Sequence, residues 1–484
     1  MTSPPGSSQP PSPHVPEPRE RSSVTPPTDS APPDATTGTP AVSPLDAPEP
    51  PVAEATPPTI PPRPAPLSPI PSPPDAPATS GKSGILAALQ TSRPFRLLWF
   101  GTIFTQLGQW MQNIALGWHM LQITDSPFWV GLIAFATGIP FLVIALPAGA
   151  LVDRADERRI LQISQWAAMV VAALLGAAIL LDIAEPWHLL VAAALNGTIM
   201  AINQTVRQTM VPSIVTRDLM ANAISLNSAG SNAMRIIGPS IAGVIIGTAG
   251  AGACFVLQAL ALMAALLTTT RIPPISRGNV GVASGGILDG WYEIRKQPEL
   301  GSLVLLTAIP SLLVFSYIQM MPVFARDVWD IGPSGLGILM AASGLGAFSG
   351  AMTAATMGKV RRKGRAVLLL TVCYCLAITG FAVSPVFWLG MVGLFLGGFT
   401  GSIFGPLSNT LLLLLADPRI RGRVMAVYML TNGLTPFGSI ALGGLAASRG
   451  APVAVGSACA LSAVLCLICA FRMTSLRALV SSDL

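Results

Sequence analysis

Four polar side chains recur along one otherwise apolar stretch: Thr102, Gln106, Gln109 and Asn113. Their spacing of four, three and four places them on a single face of a helix. In a bilayer such a face must point into protein or into a water-filled cavity. Their chemistry is non-covalent, since amides and hydroxyls exchange hydrogen bonds and offer no base or activated nucleophile. A cation, Arg235, falls in the middle of another apolar stretch, on one face with Ser225, Ser228 and Asn232. An unpartnered Arg in hydrocarbon costs at least about 2.5–3.5 kcal/mol on insertion scales. Arg235 is therefore expected to face a cavity, where it could hold an anionic group through two parallel N–H bonds if that group is a carboxylate. The alternative is a structural Arg bonded to helix carbonyls. Weaker polar sets occur at Asn196, Asn203 and Gln204, at Ser316, Tyr317 and Gln319, and at Ser402, Ser408 and Asn409. For these, cavity lining and hydrogen-bonding between helices are both open.

Enzyme chemistry is not visible. His14, His119 and His188 cluster with nothing, and neither a Ser-His-Asp arrangement nor a Gly-rich phosphate loop occurs. Cys254, Cys373, Cys375, Cys459, Cys466 and Cys469 all fall inside apolar runs. Cys373-x-Cys375 alone does not make a thiolate metal site. Buried packing is the expected role of all six. The chain is expected to be no enzyme and to hold no metal and no cofactor. Without an ATP-binding motif, its energy must come from gradients.

The elements that position the polar residues are long apolar runs. Of 484 residues, 51% are hydrophobic and 10% charged, the composition of an all-α polytopic membrane protein. Twelve spans are expected, with cores at 97–121, 127–148, 160–181, 187–208, 225–247, 251–269, 301–324, 334–357, 366–384, 386–415, 424–447 and 451–471. Each is long enough to cross a bilayer as a helix. No apolar run near Met1 forms a signal peptide. Residues 1–80, rich in Pro, Ser, Ala and Thr, cannot bury enough apolar surface to offset their ordering entropy and are expected to be a disordered tail. Runs such as Pro61-Pro62-Arg63-Pro64 could also dock a polyproline reader.

Charge sets the orientation. One set of loops holds Arg154, Arg158, Arg159, Arg207, Arg217, Arg271, Arg277, Arg295, Lys296, Lys359, Arg361, Arg362, Lys363, Arg365, Arg419, Arg421 and Arg423; the other holds Arg326 and Arg449. The first set, with both termini, is expected in the cytosol. The expected organisation is a tail at 1–80, a six-helix half at 85–269, a cytosolic linker at 270–300, a second half at 301–472 and a short tail at 473–484.

Between the second and third spans lies Gly149-Ala150-Leu151-Val152-Asp153-Arg154-Ala155-Asp156-Glu157-Arg158-Arg159, read as a tight charged turn. This segment resembles the signature loop of the major facilitator superfamily, Gly-x-Leu-x-Asp-Arg-x-x-x-Arg-Arg, carried here by Gly149, Asp153, Arg154, Arg158 and Arg159. Asp156 stands where the family often has Gly. Gly350-Ala351 before a basic turn repeats the pattern in the second half, with Ala354 where the acid would fall. Gly238, Pro239 and Gly243 resemble the superfamily's antiporter motif of the fifth span. The stretch Ala221–Ser228 through Arg235–Pro239, with Arg421–Ala426 and Phe95-Arg96-Leu97-Leu98-Trp99, is similar to the enterobactin-exporter and macrolide-efflux branch. Many relatives in that branch have Asp where this chain has Gln109.

The resemblance implies twelve helices in two pseudo-symmetric six-helix halves, the major facilitator fold, with a substrate site between them. It implies export of a siderophore or a drug from a bacterium across its inner membrane, by proton antiport and alternating access. Gln106, Gln109, Asn113, Arg235, Tyr317 and Gln319 are the expected cavity residues. The expected partners are a small-molecule substrate, the lipid bilayer and protons, with no nucleic acid; the expected state is a monomer. An importer or lysophospholipid flippase on the same fold, or a membrane scaffold that uses the Pro-rich tail, are the alternatives.

Overall fold

The structure is a computed structural model that describes residues 86–472, except 155, 274–291, 293, 296, 357–362, 418 and 419. At 146–154, 217, 298, 355, 356 and 432 it describes the backbone alone. The segments 1–80 and 473–484 and most of the 270–300 linker lie outside the described residues.

The first half begins with a short helix, α1 (Ala87–Thr91), and continues as α2 (Arg93–Thr124), α3 (Pro127–Arg154), α4 (Glu157–Leu180), α5 (Pro186–Ile214) and α6 (Arg217–Thr270). Local signals set the ends. Ser92 caps α2 by accepting from the Phe95 N–H at 3.2 Å, satisfying one of the donors a helix start leaves open. Asp125 ends α2 in the left-handed region at φ 48°, where an Asp is tolerated better than most residues. Asp156 caps α4 by accepting from the Arg158 N–H at 3.0 Å.

The helix α3 runs on through Arg154, so the signature segment is not an eleven-residue turn. Its first six residues continue the helix, and the connection narrows to Ala155 and Asp156. The side chains of Gly149, Asp153 and Arg154 lie outside the described set.

Gly250 breaks α6 with φ 82° and ψ 171°, a conformation that an L-residue avoids and Gly adopts at no steric cost. The two legs run antiparallel, because both follow α2 in opposite senses. Trp99 Nε1 donates to the Leu226 carbonyl at 3.0 Å, and Gly238 lies against Trp110. On the other leg Gly101 meets Ala265 and Thr268, while Gly108 meets Gln258.

The second half comprises α7 (Pro298–Leu313), α8 (Gly332–Thr356), α9 (Lys363–Ala382), α10 (Phe387–Leu415), α11 (Arg421–Asn432), α12 (Thr435–Arg449) and α13 (Ala451–Arg472). The chain after α7 tightens into a 3-10 stretch, Phe315–Met320, then an α turn and a π turn, Phe324–Val328. The expected eleventh span is interrupted at Gly433, between α11 and α12.

The fold is all-α, as the sequence implies. Among the described residues, nine helical segments are long and apolar enough to cross a membrane, and one of them is the two-legged Asp218–Thr270. The helix α2 falls short because of its polar stripe, and the α11–α12 segment also falls short, so this criterion alone does not reach twelve. Large apolar side chains face outward, among them Trp166, Leu174, Leu369 and Trp388, the last 70% exposed. Contiguous apolar surface of this kind is stable in lipid and not in water.

We call the end of the bundle that carries Asp156 the near end and the opposite end the far end. Toward the far end the halves meet at two helix crossings of the same design. At one, Gly131 of α3 faces Gly443 of α12; a Cβ on Gly443 would lie 2.9 Å from the Pro127 carbonyl and 3.1 Å from Gly131 Cα. At the other, Gly243 of α6 faces Gly337 of α8; a Cβ on Gly243 would lie 2.6 Å from the Pro333 carbonyl and 2.8 Å from Gly337 Cα. Each crossing thus sets a Pro-x-x-x-Gly, Pro127/Gly131 or Pro333/Gly337, against a second glycine. The internal repeat supplies both, and the missing side chains let the backbones approach. Arg326, in the π turn, adds a polar link by donating to the Leu121 carbonyl at 2.7 Å and to Asp125 Oδ1 at 2.8 Å. Its Nε also reaches Asp327.

Candidate functional site

Below this closed far end, α2, α5 and α6 wall a cavity of about 530 Å³, the size of many small-molecule sites. The stripe on α2 contributes Thr102, Thr105, Gln106, Gln109, Gln112 and Asn113. Facing it on α5 are Asn196, Asn203, Gln204, Arg207 and Gln208; on α6 are Asn227, Ser228, Ser231 and Gln258. The lining reaches from mid-depth at Asn113 to Pro212, in the last turn of α5, and Ile224, about two turns into α6. Among the described residues the lining holds no Asp or Glu. Gln258 Nε2 donates to Gln112 Oε1 at 2.6 Å across α6 and α2, closing the cavity floor with a buried amide pair.

The sequence reading put Arg207 in a loop, and the structure corrects this. The helix α5 extends to Ile214, so Arg207 lies about two turns inside it and turns its side chain toward α2. Its Nε donates to Asn203 Oδ1 at 2.7 Å. Nη1 donates to Thr102 Oγ1 at 2.5 Å and to the Leu98 carbonyl at 3.5 Å. Nη2 donates to Thr105 Oγ1 at 2.9 Å and to the Gly101 carbonyl at 3.3 Å. Asn203 in turn donates to Ser164 Oγ on α4 at 3.1 Å, so one network ties α2, α4 and α5. The available signal was Asn203 four residues before Arg207, one helical turn apart, with Thr102 and Thr105 on a neighbouring span.

A second cavity of about 230 Å³ lies between the halves. It is lined from α2 by Trp110, Asn113, Ile114 and Gly117, and from the second half by Phe315, Ile318, Gln319, Pro322, Met340 and Thr435. Asn113 borders both cavities. Arg235 approaches this region from α6, with its guanidinium carbon 5.7 Å from the centre of the Trp110 ring, a cation–π distance. Among the described residues no hydrogen bond or ion pair reaches its guanidinium.

Of the expected cavity residues, Gln106, Gln109 and Asn113 line the first cavity and Asn113 and Gln319 the second. Arg235 lines neither of these two cavities, and neither does Tyr317. Tyr317 is 2% exposed, packs edge-on against Phe381 at 6.3 Å, and has its hydroxyl 3.4 Å from Ser343 Oγ. The 3-10 and π turns after Leu313 have three or more than four residues per turn, so a face drawn at the α-helical period points elsewhere. Ser402, Ser408 and Asn409 of α10 line neither cavity; Ser402 bonds the Phe399 carbonyl. In the expected antiporter motif, Gly238 seats α6 on Trp110, Pro239 carries the carbonyl that a Cβ on Gly337 would approach, and Gly243 makes the crossing with Gly337. On the signature segment, Arg158 Nη2 donates to the Thr270 carbonyl at the end of α6, at 2.5 Å. Arg159 is 3.7 Å from Asp156 and 81% exposed. All six cysteines are free thiols, four of them buried, consistent with packing.

Two helical halves that meet beside a polar cavity form a transporter's frame, and the chain's relatives are transporters. Residues 83–483 match the family of transmembrane secretion effectors. The chain belongs to this family, within the major facilitator superfamily. It is 24% identical to the staphyloferrin A transporter of Staphylococcus aureus over 69% of this chain and 85% of that one. It is 29% identical to the multidrug efflux pump Tap of Mycolicibacterium fortuitum, over 74% and 90%. It is 25% identical to the enterobactin exporter EntS of Shigella boydii, over 77% and 90%. Among solved structures it resembles a bacterial homologue of the human lysosomal transporter Spinster, with TM-score 0.62 and 16% identity over 80% of this chain and 98% of that one. It also resembles the nucleoside transporter NupG, with TM-score 0.63 and 13% identity over 79% and 98%. These likenesses establish the fold. The chain is a transmembrane protein of a family of transporters, of siderophore-export and drug-efflux type.

Proposed function

We propose that this chain exports an amphiphilic small molecule, a siderophore or a drug, by alternating access with protons as the counter-ion. The proposal places the near end, the signature segment and both termini in the cytosol of a bacterium, with twelve passes through the inner membrane and the monomer as the working unit. The observation that carries it is the asymmetry of the bundle. The far end is closed by two glycine crossings and by Arg326, while the polar cavity runs from mid-depth toward the near end. A cytosolic solute would load there, and separation of the two crossings would release it on the far side. The named relatives, two of them an exporter and an efflux pump, support the direction. Gln106, Gln109 and Asn113 are proposed to contact the solute, with Arg235 and Gln319 at the gap between the halves. No described span holds an Asp or Glu in its interior, so in this reading the proton does not ride on an acid of the cavity wall.

Everted membrane vesicles test direction and coupling separately. Energised vesicles from cells that make the protein should accumulate a fluorescent drug or a siderophore, and vesicles without it should not. Uptake into right-side-out cells in place of efflux would overturn the direction. Accumulation that survives collapse of the pH gradient would remove the proton from the proposal and leave export standing.

A further inference from the structure

Arg207 is a cation without a carboxylate. All the partners of its guanidinium are neutral oxygens: Asn203 Oδ1, the hydroxyls of Thr102 and Thr105, and the carbonyls of Leu98 and Gly101. They fix the group in place and leave its unit charge unbalanced. That charge sits in the wall of the larger cavity, whose lining among the described residues contains no acid. Arg235 stands at the gap between the halves, again with no ion pair among the described residues, over a Trp110 ring that borders the second cavity. Two fixed positive charges therefore act on two cavities that share Asn113 in their walls, Arg207 in the lining of the larger and Arg235 beside the Trp110 wall of the smaller. A concave site of one sign with low-dielectric walls concentrates the field and raises the local level of opposite charge. The amides of Gln106, Gln109, Asn113 and Gln204 add N–H donors for an anion, and can turn their oxygens away.

We infer that the cavity selects an anionic amphiphile and rejects lipophilic cations, with Arg207 as the fixed charge that sets the preference. The inference rests on the transporter reading for the fate of the solute, and on the cavity alone for its charge. The guanidinium of Arg207 already spends its N–H groups on α2 and Asn203, so it acts as a source of field. Direct contacts fall to the amides and to Arg235. A substrate that carries a carboxylate or another acid beside an aromatic or alkyl body fits both the charge and the mixed lining.

Binding to the purified full chain in detergent separates charge preference from transport. Fluorescein and rhodamine 123 share a xanthene ring system and differ in sign of charge. Fluorescein should bind at least tenfold more tightly than rhodamine 123, with the difference shrinking as salt is added. Arg207→Lys should keep the preference, because it keeps the charge, and Arg207→Gln should abolish it. Should Arg207→Gln fail to fold, Arg235→Gln decides the matter: a preference that survives loss of the Arg235 charge stays with Arg207, and a preference lost with it overturns the assignment. Equal binding of the two probes, tighter binding of rhodamine 123, or no binding of fluorescein would overturn the inference. Transport failure with intact fluorescein preference would instead count against the exporter reading alone.

Discussion

Replacing Gly243 with Ala should loosen the far-end closure without unfolding the bundle. The added methyl would stand 2.6 Å from the Pro333 carbonyl oxygen, 2.8 Å from Gly337 Cα and 2.9 Å from Gly337 N. These are backbone atoms, so no rotamer change relieves the overlap, and α6 and α8 must separate by several tenths of an ångström. Overpacking of this kind costs about 1–3 kcal/mol. The strain exists only while the crossing is closed, so it biases the two-state balance by about 5–150-fold toward opening. The assay is labelling of a Cys placed at Gln319, in a background lacking the six native cysteines, by an impermeant maleimide applied at the far end. Gln319 borders the cavity between the halves, so its labelling rate reports opening. Gly243→Ala should raise the rate at least about fivefold. The control is Gly380→Ala, where a new Cβ meets nothing within 4 Å and the rate should not move. An unchanged rate in Gly243→Ala, or an equal rise in Gly380→Ala, would refute the closure argument.

Arg326→Gln should raise the same labelling rate more than Asp125→Asn. The Asp125 side chain is 84% exposed, and an exposed ion pair contributes about 1 kcal/mol or less, whereas Gln keeps no charge-assisted bond to the Leu121 carbonyl. A larger effect of Asp125→Asn would contradict this. Asn203→Ala should lower thermal stability in detergent by about 1–3 kcal/mol, because it strands the Nε–H of Arg207, while the Ser164 hydroxyl keeps its bond to the Leu161 carbonyl; an unchanged melting temperature would count against the network. Arg158→Ala should impair transport more than Arg159→Ala, since only Arg158 reaches the end of α6. Equal loss in both variants would reduce the pair to a shared surface charge.

Hydropathy made the spans legible, because lipid demands about 20 apolar residues per crossing whatever the tertiary contacts. The stripe on α2 was legible for the same reason, since a polar face in a membrane helix has few places to go. Gly149–Arg159 was recognisable as a motif but not as geometry, as the helix carries on through Arg154. Arg207 was counted with the basic loops because it falls at the end of the expected span 187–208, whereas the helix runs on to Ile214. The true surroundings of Arg207, Thr102 and Thr105, lie about a hundred positions earlier in the chain, and only packing brings them together. The buried position of Tyr317 was not legible, because the stretch after Leu313 changes period twice and a single helical period does not show which way its side chains turn. The shared Pro-x-x-x-Gly at 127–131 and 333–337 was readable as a repeat, but its role appears only when the opposing glycines are seen.

Two distances measured in one molecule test the rocking of the halves most directly. Spin labels at Thr248 and Ser334 report the far end, where Ser334 lies beside Gly247. Labels at Thr216 and Gly422 report the near end; Thr216 immediately precedes α6 and Gly422 has open space around it. In lipid nanodiscs the far-end pair should be close in the resting protein. Gly243→Ala should lengthen that distance and shorten the near-end one in the same sample. A far-end distance that stays fixed, or two distances that lengthen together, would contradict alternating access in this chain.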